Sequence, residues 1–439
     1  MSTVIVWFRQ DLRLHDQRVL WQALAHRPQA LLPVLCLPDS AAQSPWGFAR
    51  IGPHRKAWLT LAVESLSRSL EQLGCPLLVS TRRPGDILPA LARAAGTRTV
   101  LCEEIPAPEE RTEVDALREA GLAVETCWQG SLIDPDMLPW PIQNLPRSFT
   151  PFRQGVERHR IEPAAPLASP LALPGWPACA RSIAESPPEQ VDDLLTTGST
   201  ARCLDDPRSS LPRSAGRAGG GEAAGLAHLA DWLERGLPHR YKATRNQLSG
   251  IDFSSKWSPW LAHGALSPRH ILAELRQFES RQGASEGSYW LWFELLWRDY
   301  FRLLALQQGA RLFRARGLAD DASQPPHDPA AFERWLTART GQALVDAGMR
   351  ELQTTGYLSN RMRQIVASYL VHDLACDWRA GAAWFEHCLI DHDVFSNHGN
   401  WLYIAGRGTD PRGGRHFDIE RQTAEHDPHG HYRHLWAAP

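Results

Sequence analysis

Nothing in this 439-residue chain approaches the roughly eighteen consecutive apolar residues of a membrane-spanning helix, and its eight cysteines include no C-x-x-C pair. The first absence leaves no candidate span. The second, in a chain too long for a small secreted scaffold, suits a reducing compartment. An excess of one charge is missing as well: 47 Lys and Arg stand against 49 Asp and Glu, a formal net charge of −2. Any nucleic-acid contact must therefore come from a local patch. The first apolar run leads into Arg9, Asp11 and Arg13 with no cleavage-site pattern, so no signal peptide is expected and the expected location is the cytoplasm. The loop after that run also lacks G-x-G-x-x-G, which removes a dinucleotide fingerprint.

Short β-branched or Leu-rich runs at 3–8, 31–37, 77–80, 99–104 and 123–128 alternate with helical patterns near 16–26, 53–73, 86–95 and 108–120. This alternation predicts a doubly wound, five-stranded parallel sheet with helices on both faces, an α/β domain over 1–131. From 132 to 221 Pro, Ser, Ala and Gly dominate, so this span reads as a long, partly mobile surface connector without a core of its own. Helical periodicity returns at Glu222 and predicts an all-α domain over 222–439.

Two segments carry chemistry. Asp391-His-Asp393-Val-Phe-Ser-Asn397-His-Gly-Asn-Trp401-Leu-Tyr403 packs carboxylates, an amide and redox-capable aromatics into what reads as a turn-rich segment. Asp393 can accept from ring N–H or ribose hydroxyl donors, whereas Asn397 both donates and accepts. A flavin ring asks for both. Its N5 accepts when oxidised and donates when reduced, so a neutral amide serves every redox state where an ionised Asp could only accept. The plain alternative is an Asx-rich turn in which Asp391 and Asp393 cap orphan N–H groups. The other segment, Tyr289 to Phe301, holds seven aromatics in thirteen positions. At helical spacing Trp290, Glu294, Trp297 and Phe301 share a face. Such a stripe is ordinarily core, but a carboxyl buried there without a partner is raised in pKa and becomes a hydrogen-bond donor.

With further motifs, these segments resemble the photolyase/cryptochrome family and, within it, the cryptochrome-DASH branch. The resemblance covers nearly the whole chain: Val-Ile-Val-Trp-Phe-Arg-Gln-Asp-Leu-Arg-Leu at 4–14, Gly47-Phe48 through Arg55, Tyr241-Lys-Ala-Thr-Arg245-Asn, Ser254-Ser-Lys-Trp-Ser258-Pro-Trp-Leu-Ala, Ser267-Pro-Arg, and Thr355-Gly-Tyr-Leu-Ser-Asn360-Arg-Met-Arg363-Gln364. It implies FAD as the cofactor. Tyr241, Ser254, Ser255, Lys256 and Ser258 would hold the diphosphate at a helix start, whose N–H groups favour anions. Trp290 would line the pocket. Asn360 and Arg363 would lie on the dimethylbenzene-to-N5 side, with Arg363 paired to Asp391; Asp393 would meet the pyrimidine edge or ribityl chain, and Asn397 would face N5. For 254–258 the plain alternative is a Ser-rich N-cap with Pro259 in the first turn.

On the substrate side the resemblance implies a light-driven lyase acting on cyclobutane pyrimidine dimers in DNA. Glu294 would hydrogen-bond the flipped dimer and Trp297 would stack on it, with Asn360, Gln364 and Tyr403 beside them and Arg245 and Arg361 toward phosphates. Tyr403 and Gln364 stand where other photolyases carry Trp and Met. Flipping a base out of duplex costs about a few kcal/mol, so a smaller stacking wall favours single-stranded or looped DNA. Trp401 and Trp378 match the first two members of the family's electron relay, but Pro325 stands at the usual distal Trp, and an exit through Trp384, Trp335 or Tyr357 is expected instead.

Pro108-Glu-Glu110-Arg resembles the branch's folate contact and implies a methenyltetrahydrofolate antenna at Glu110, although acidic residues opening a helix are ordinary dipole partners. His426-Asp-Pro-His429-Gly-His431-Tyr-Arg-His434 reads as a His-rich surface turn, not a metal site. A monomer is expected. The competing class is a blue-light photoreceptor that binds DNA or a protein partner and signals by flavin redox change; with only about twenty residues after Phe417, no long effector extension is seen, which favours the enzyme. A metal-dependent phosphohydrolase built on Asp391 and Asp393 would need further carboxylates in register, and none stands out.

Overall fold

The computed structural model describes residues 2–39, 41–177, 206–211, 219–320, 323–410 and 413–437. Strands β1 (Thr3–Phe8), β2 (Ala30–Cys36), β3 (Leu78–Ser80), β4 (Thr99–Glu103) and β5 (Ala123–Cys127) form one parallel sheet in the order β3-β2-β1-β4-β5. Because side chains alternate along a strand, β1 feeds two cores at once. Val4, Val6 and Phe8 pack with α1 (Arg18–Ala25) and α2 (Pro53–Gln72), while Ile5 and Trp7 pack with α3 (Pro84–Ala94) and α4 (Pro108–Glu119). The expected doubly wound sheet is what the chain forms, and burial on both faces explains its near-continuous apolar strands. Pro in the first turn starts α2, α3 and α4, where its missing N–H costs nothing.

The rest is helical, as expected. Its elements of eight or more residues begin with α5 (Phe149–Arg158), α6 (Glu222–Glu234), α7 (Pro268–Gln282), α8 (Glu286–Gln308) and α9 (Pro329–Leu336). They continue with α10 (Ala343–Thr355), α11 (Asn360–Ser368), α12 (Trp378–Cys388), α13 (Val394–Ile404) and α14 (Ile419–His426). Two expectations need correction. The segment 391–403 is not a run of turns: Asp393 caps α13 by accepting from the Ser396 N–H at 2.7 Å, and the helix then runs unbroken. The stretch after 131 is not wholly a surface connector either, since Leu132, Ile133, Leu145, Phe149 and Phe152 are buried in the helical core. Its residues 178–205 and 212–218 lie outside the described residues.

The loop after β1 joins the two halves. Asp16 and Arg269, both fully buried, are paired through two N–H···O bonds of 2.9 Å, and Arg13 donates to the Gly264 carbonyl at 2.9 Å. Glu222 accepts from the Leu14 and His15 N–H groups, each at 2.9 Å. Gly264 sits at φ +68, where a Cβ would strike the Gln10 backbone, so the two loops meet main chain to main chain. On α8, Arg302 reaches Glu103 at the end of β4 at 2.6 Å. No helix of the described residues is long and apolar enough to cross a membrane.

Removing one partner of a fully buried pair strands the other charge. Arg269→Met is therefore expected to cost about 3–5 kcal/mol in urea unfolding. An unchanged midpoint would show that the clasp adds nothing to stability.

Candidate functional site

Helices α11, α12 and α13 wall a cavity of about 610 Å³, its open mouth included. Asn360, Arg363, Gln364, Asp391, Asp393, Asn397, Trp401 and Tyr403 line it, with His392 and Asn400. Its walls close tightly because two positions carry no side chain: a Cβ at Gly399 would enter the Phe301 ring of α8, and one at Gly381 would enter the Trp401 ring. The Ser359 hydroxyl, accepting from the Met362 N–H at 3.2 Å, starts α11 and so sets Asn360, Arg363 and Gln364 along one wall.

Asp391 is the electrostatic centre. Its Oδ2 accepts from the Ser258 hydroxyl at 2.6 Å and from Arg363 at 2.8 Å, whereas Oδ1 is buried with no partner. Behind it Lys256 is 2% exposed at φ +56, with its amine against the Phe253 ring and no hydrogen bond. Burial pushes the Lys256 pKa well below the usual lysine range, with Glu351 pulling the other way. His392 is likewise buried with an unpaired Nε2, and burial keeps it neutral. Asn397 donates one N–H to the Ala382 carbonyl at 2.9 Å, which leaves its carbonyl and second N–H. A buried polar group left unmatched costs about 1–3 kcal/mol, so the Asp391 oxygen and the His392 nitrogen in the cavity wall point to a polar ligand that offers them partners.

Other singled-out residues fall into separate groups. Tyr241 is buried against Trp232, Ser254 meets the Tyr357 hydroxyl, and the Ser255 carbonyl accepts from His228 at 2.7 Å. Ser258 is committed to Asp391, so of the 254–258 group it is the one tied directly to the cavity wall. Glu294 corrects the expectation of an unpartnered acid: it pairs with Arg245 at 2.5 Å, and Arg245 in turn lies over Trp290 at 4.4 Å. Burial still raises the Glu294 pKa, with Arg245 opposing. Arg361 donates to Asn246 at 3.2 Å, next along the chain from Arg245, so the segment after Tyr241 links Glu294 of α8 to Arg361 of α11. Trp297 has one face taken by Phe149, stacked at 3.8 Å and 12°. Tyr403 has Arg415 over its ring at 5.0 Å.

Trp401 meets Phe385 at 5.1 Å and Trp335 at 6.4 Å, while Trp378 meets His398 at 6.1 Å and donates to the Ala315 carbonyl. Glu110 is half-buried on α4, where burial raises its pKa, and its carbonyl accepts from Arg9 at 3.1 Å. Among the described residues no cluster of three or more His, Cys, Asp or Glu could hold a metal ion. One site residue escaped the sequence reading. Arg298 approaches Asp393 at 3.8 Å while donating to the Gly130 and Leu261 carbonyls, and its place one turn beyond Glu294 on the aromatic helix was the available signal.

Residues 4–170 match the DNA photolyase family, and residues 290–438 match the FAD binding domain of DNA photolyase. The cryptochrome DASH of Synechocystis is 41% identical over 440 residues, covering 99% of this chain and 87% of that one. The chain belongs to the photolyase/cryptochrome family, in its cryptochrome-DASH branch. The cryptochrome DASH of Danio rerio is 40% identical, covering 99% of this chain and 82% of its own. Among solved structures, the Synechocystis cryptochrome superposes with a TM-score of 0.90, covering 99% of this chain and 88% of that chain. A class III photolyase from Agrobacterium tumefaciens, 29% identical, superposes at 0.80, with 99% and 86% covered. The cofactor of this photolyase-type domain is FAD. The unmatched Asp391 oxygen and the Asn397 amide, which keeps a carbonyl and one N–H beyond its bond to Ala382, fit a group that carries both donors and acceptors.

Lys256→Met removes an unpaired buried amine. FAD-free protein should then melt higher, while FAD binds about 10- to 100-fold more weakly if the lysine meets an anion. Unchanged affinity in a titration would leave the lysine a packing role only.

Proposed function

We propose that this family member repairs cyclobutane pyrimidine dimers in DNA under blue light, mainly in single-stranded or looped substrates. The observation that carries the reading is a half-buried acid, Glu294, paired with Arg245, whose chain neighbour Asn246 accepts from Arg361, the residue after Asn360 in the wall of the cavity that Trp401 and Asn397 line. Bound in its reduced form, FAD supplies a light-excited electron for a ring splitting that consumes no net reductant. The protein's residues do the rest.

Glu294, its pKa raised by burial, offers a proton or a hydrogen bond to a base carbonyl as charge arrives there. An incoming phosphate competes for Arg245 and frees the acid. Trp297, backed by Phe149, presents its other face as a platform, with Tyr403 a smaller opposite wall and Asn360 and Gln364 along the rim. Base stacking on an aromatic ring is worth about 1–3 kcal/mol, and a substrate that is already unstacked keeps most of it. Asn397 offers an uncharged amide to FAD, Arg363 and Asp391 hold its ring, and Tyr241 with Ser254, Ser255, Lys256 and Ser258 serve its phosphate side. Trp290 screens that pocket through Arg245. Trp401 is the first supplier of electrons, with Trp378 in the family's second position. Residues 1–131 carry a folate antenna that contacts Glu110, residues 222–439 carry catalysis, and the protein works as a cytoplasmic monomer.

The other reading, a photoreceptor that binds DNA or a protein partner, draws on the cryptochrome names of the relatives. Chemically reduced protein, blue light and a single-stranded oligonucleotide holding one dimer separate the two: catalytic loss of dimers supports repair, and tight binding without loss supports the sensor. Glu294→Gln, which keeps a donor but no proton, should retain binding and lose about 1–3 kcal/mol of charge stabilisation, read as a lower repair yield per photon. Because the Glu294 pKa is raised, the carboxyl keeps its proton to higher pH than an ordinary glutamate, so repair should fall on the alkaline side as it ionises. That limb should vanish in Glu294→Gln.

A further inference from the structure

The cavity floor is joined to the surface by a file of rings that leads away from Trp378. Trp401 meets Trp335 at 6.4 Å, Trp335 meets Phe332 at 6.1 Å in a stacked arrangement, and Phe332 meets Trp46 at 6.3 Å. Trp335 is fully buried, and its N–H donates to the Val366 carbonyl at 3.0 Å, an acceptor that favours positive charge on the indole. Trp46 is half-buried in the α/β half, inside a small loop closed by the Gln43–Ala49 bridge. Its ring packs on His327 at 4.8 Å, two positions beyond Pro325.

From this continuity we infer that Trp46 is the surface end of the electron supply, with Trp335 the inner station and Phe332 the bridge. A phenyl ring is much harder to oxidise than an indole, so Phe332 carries the electron by tunnelling and holds no charge, while each indole can hold it. The electron balance closes with an external thiol. Trp401 gives one electron to light-excited FAD and is refilled from Trp335, which is refilled from Trp46. The oxidised Trp46 ring releases its N–H proton to water. A thiol outside the protein then returns one electron and one proton to Trp46, and two oxidised thiols pair as a disulfide.

The inference rests on the light-driven reading proposed above, and the test keeps the two apart. In FAD-loaded Trp46→Phe protein with a soluble thiol, the yield of the long-lived tryptophanyl radical after a laser flash should fall about tenfold or more, by transient absorption and by electron paramagnetic resonance. Trp335→Phe should show the same loss, and Trp46→Tyr, which keeps an oxidisable ring, should restore the radical signal. Normal FAD content and melting of the Trp46→Phe protein separate this effect from misfolding. Undiminished radical yield in Trp46→Phe would overturn the branch, as would its loss in Trp384→Phe alone, whose ring leads instead to Phe48 at 5.0 Å. Chemically reduced Trp46→Phe protein should still split dimers; absence of splitting in the unmodified protein with radical yields as expected would remove the repair reading and leave this one standing.

Discussion

Everything at the site is arranged around the Asp391 carboxylate. One of its oxygens takes the Ser258 hydroxyl and the Arg363 guanidinium, which arrive from segments 133 and 28 positions away. A carboxylate this buried is stable only while such partners stay in place, so the geometry of three chain segments is fixed by one charge. The other oxygen is left without a partner. That asymmetry gives the cavity its polarity: half of the charge holds the protein together, and half awaits a donor.

Helix α8 turns this local constraint into a whole-molecule arrangement. One side sends Arg302 to Glu103 at the end of β4, another sets Phe301 against Gly399 of α13, and Glu294, half-buried, pairs with Arg245. The distance between the α/β half and the cavity is therefore set by a single rigid rod. The clasp of Asp16 with Arg269 and the backbone contact at Gly264 prevent the halves from sliding along it. Because Trp46 belongs to the first half and Trp335 to the second, the ring file to the surface exists only while the halves are docked.

Short, nearly continuous apolar runs set between helical patterns made the five strands readable, since β1 and β2 bury both faces. The helical half followed from the helical periodicity that returns at Glu222, and Asp393 and Asn397 drew notice because their side-chain chemistry is unusual beside so many rings. What stayed hidden depends on distance along the chain. Asp-x-Asp, Asn and Gly have a turn composition, yet the close packing of Gly399 on Phe301 makes 394–404 a helix, and local propensity cannot report a partner that far away. Arg245 meeting Glu294 and Arg298 approaching Asp393 were illegible for the same reason. In the stretch after 131, Leu132, Phe149 and Phe152 were masked by the surrounding Pro and small residues, although they supply core to α8.

A crystal structure of the FAD-loaded protein tests the central claim most directly. The account predicts the flavin ring in the cavity between α11, α12 and α13, with the free Asp391 oxygen accepting from it and the Asn397 amide beside its central nitrogen. Flavin bound elsewhere, or an Asp391 oxygen still without a donor in the loaded protein, would contradict it.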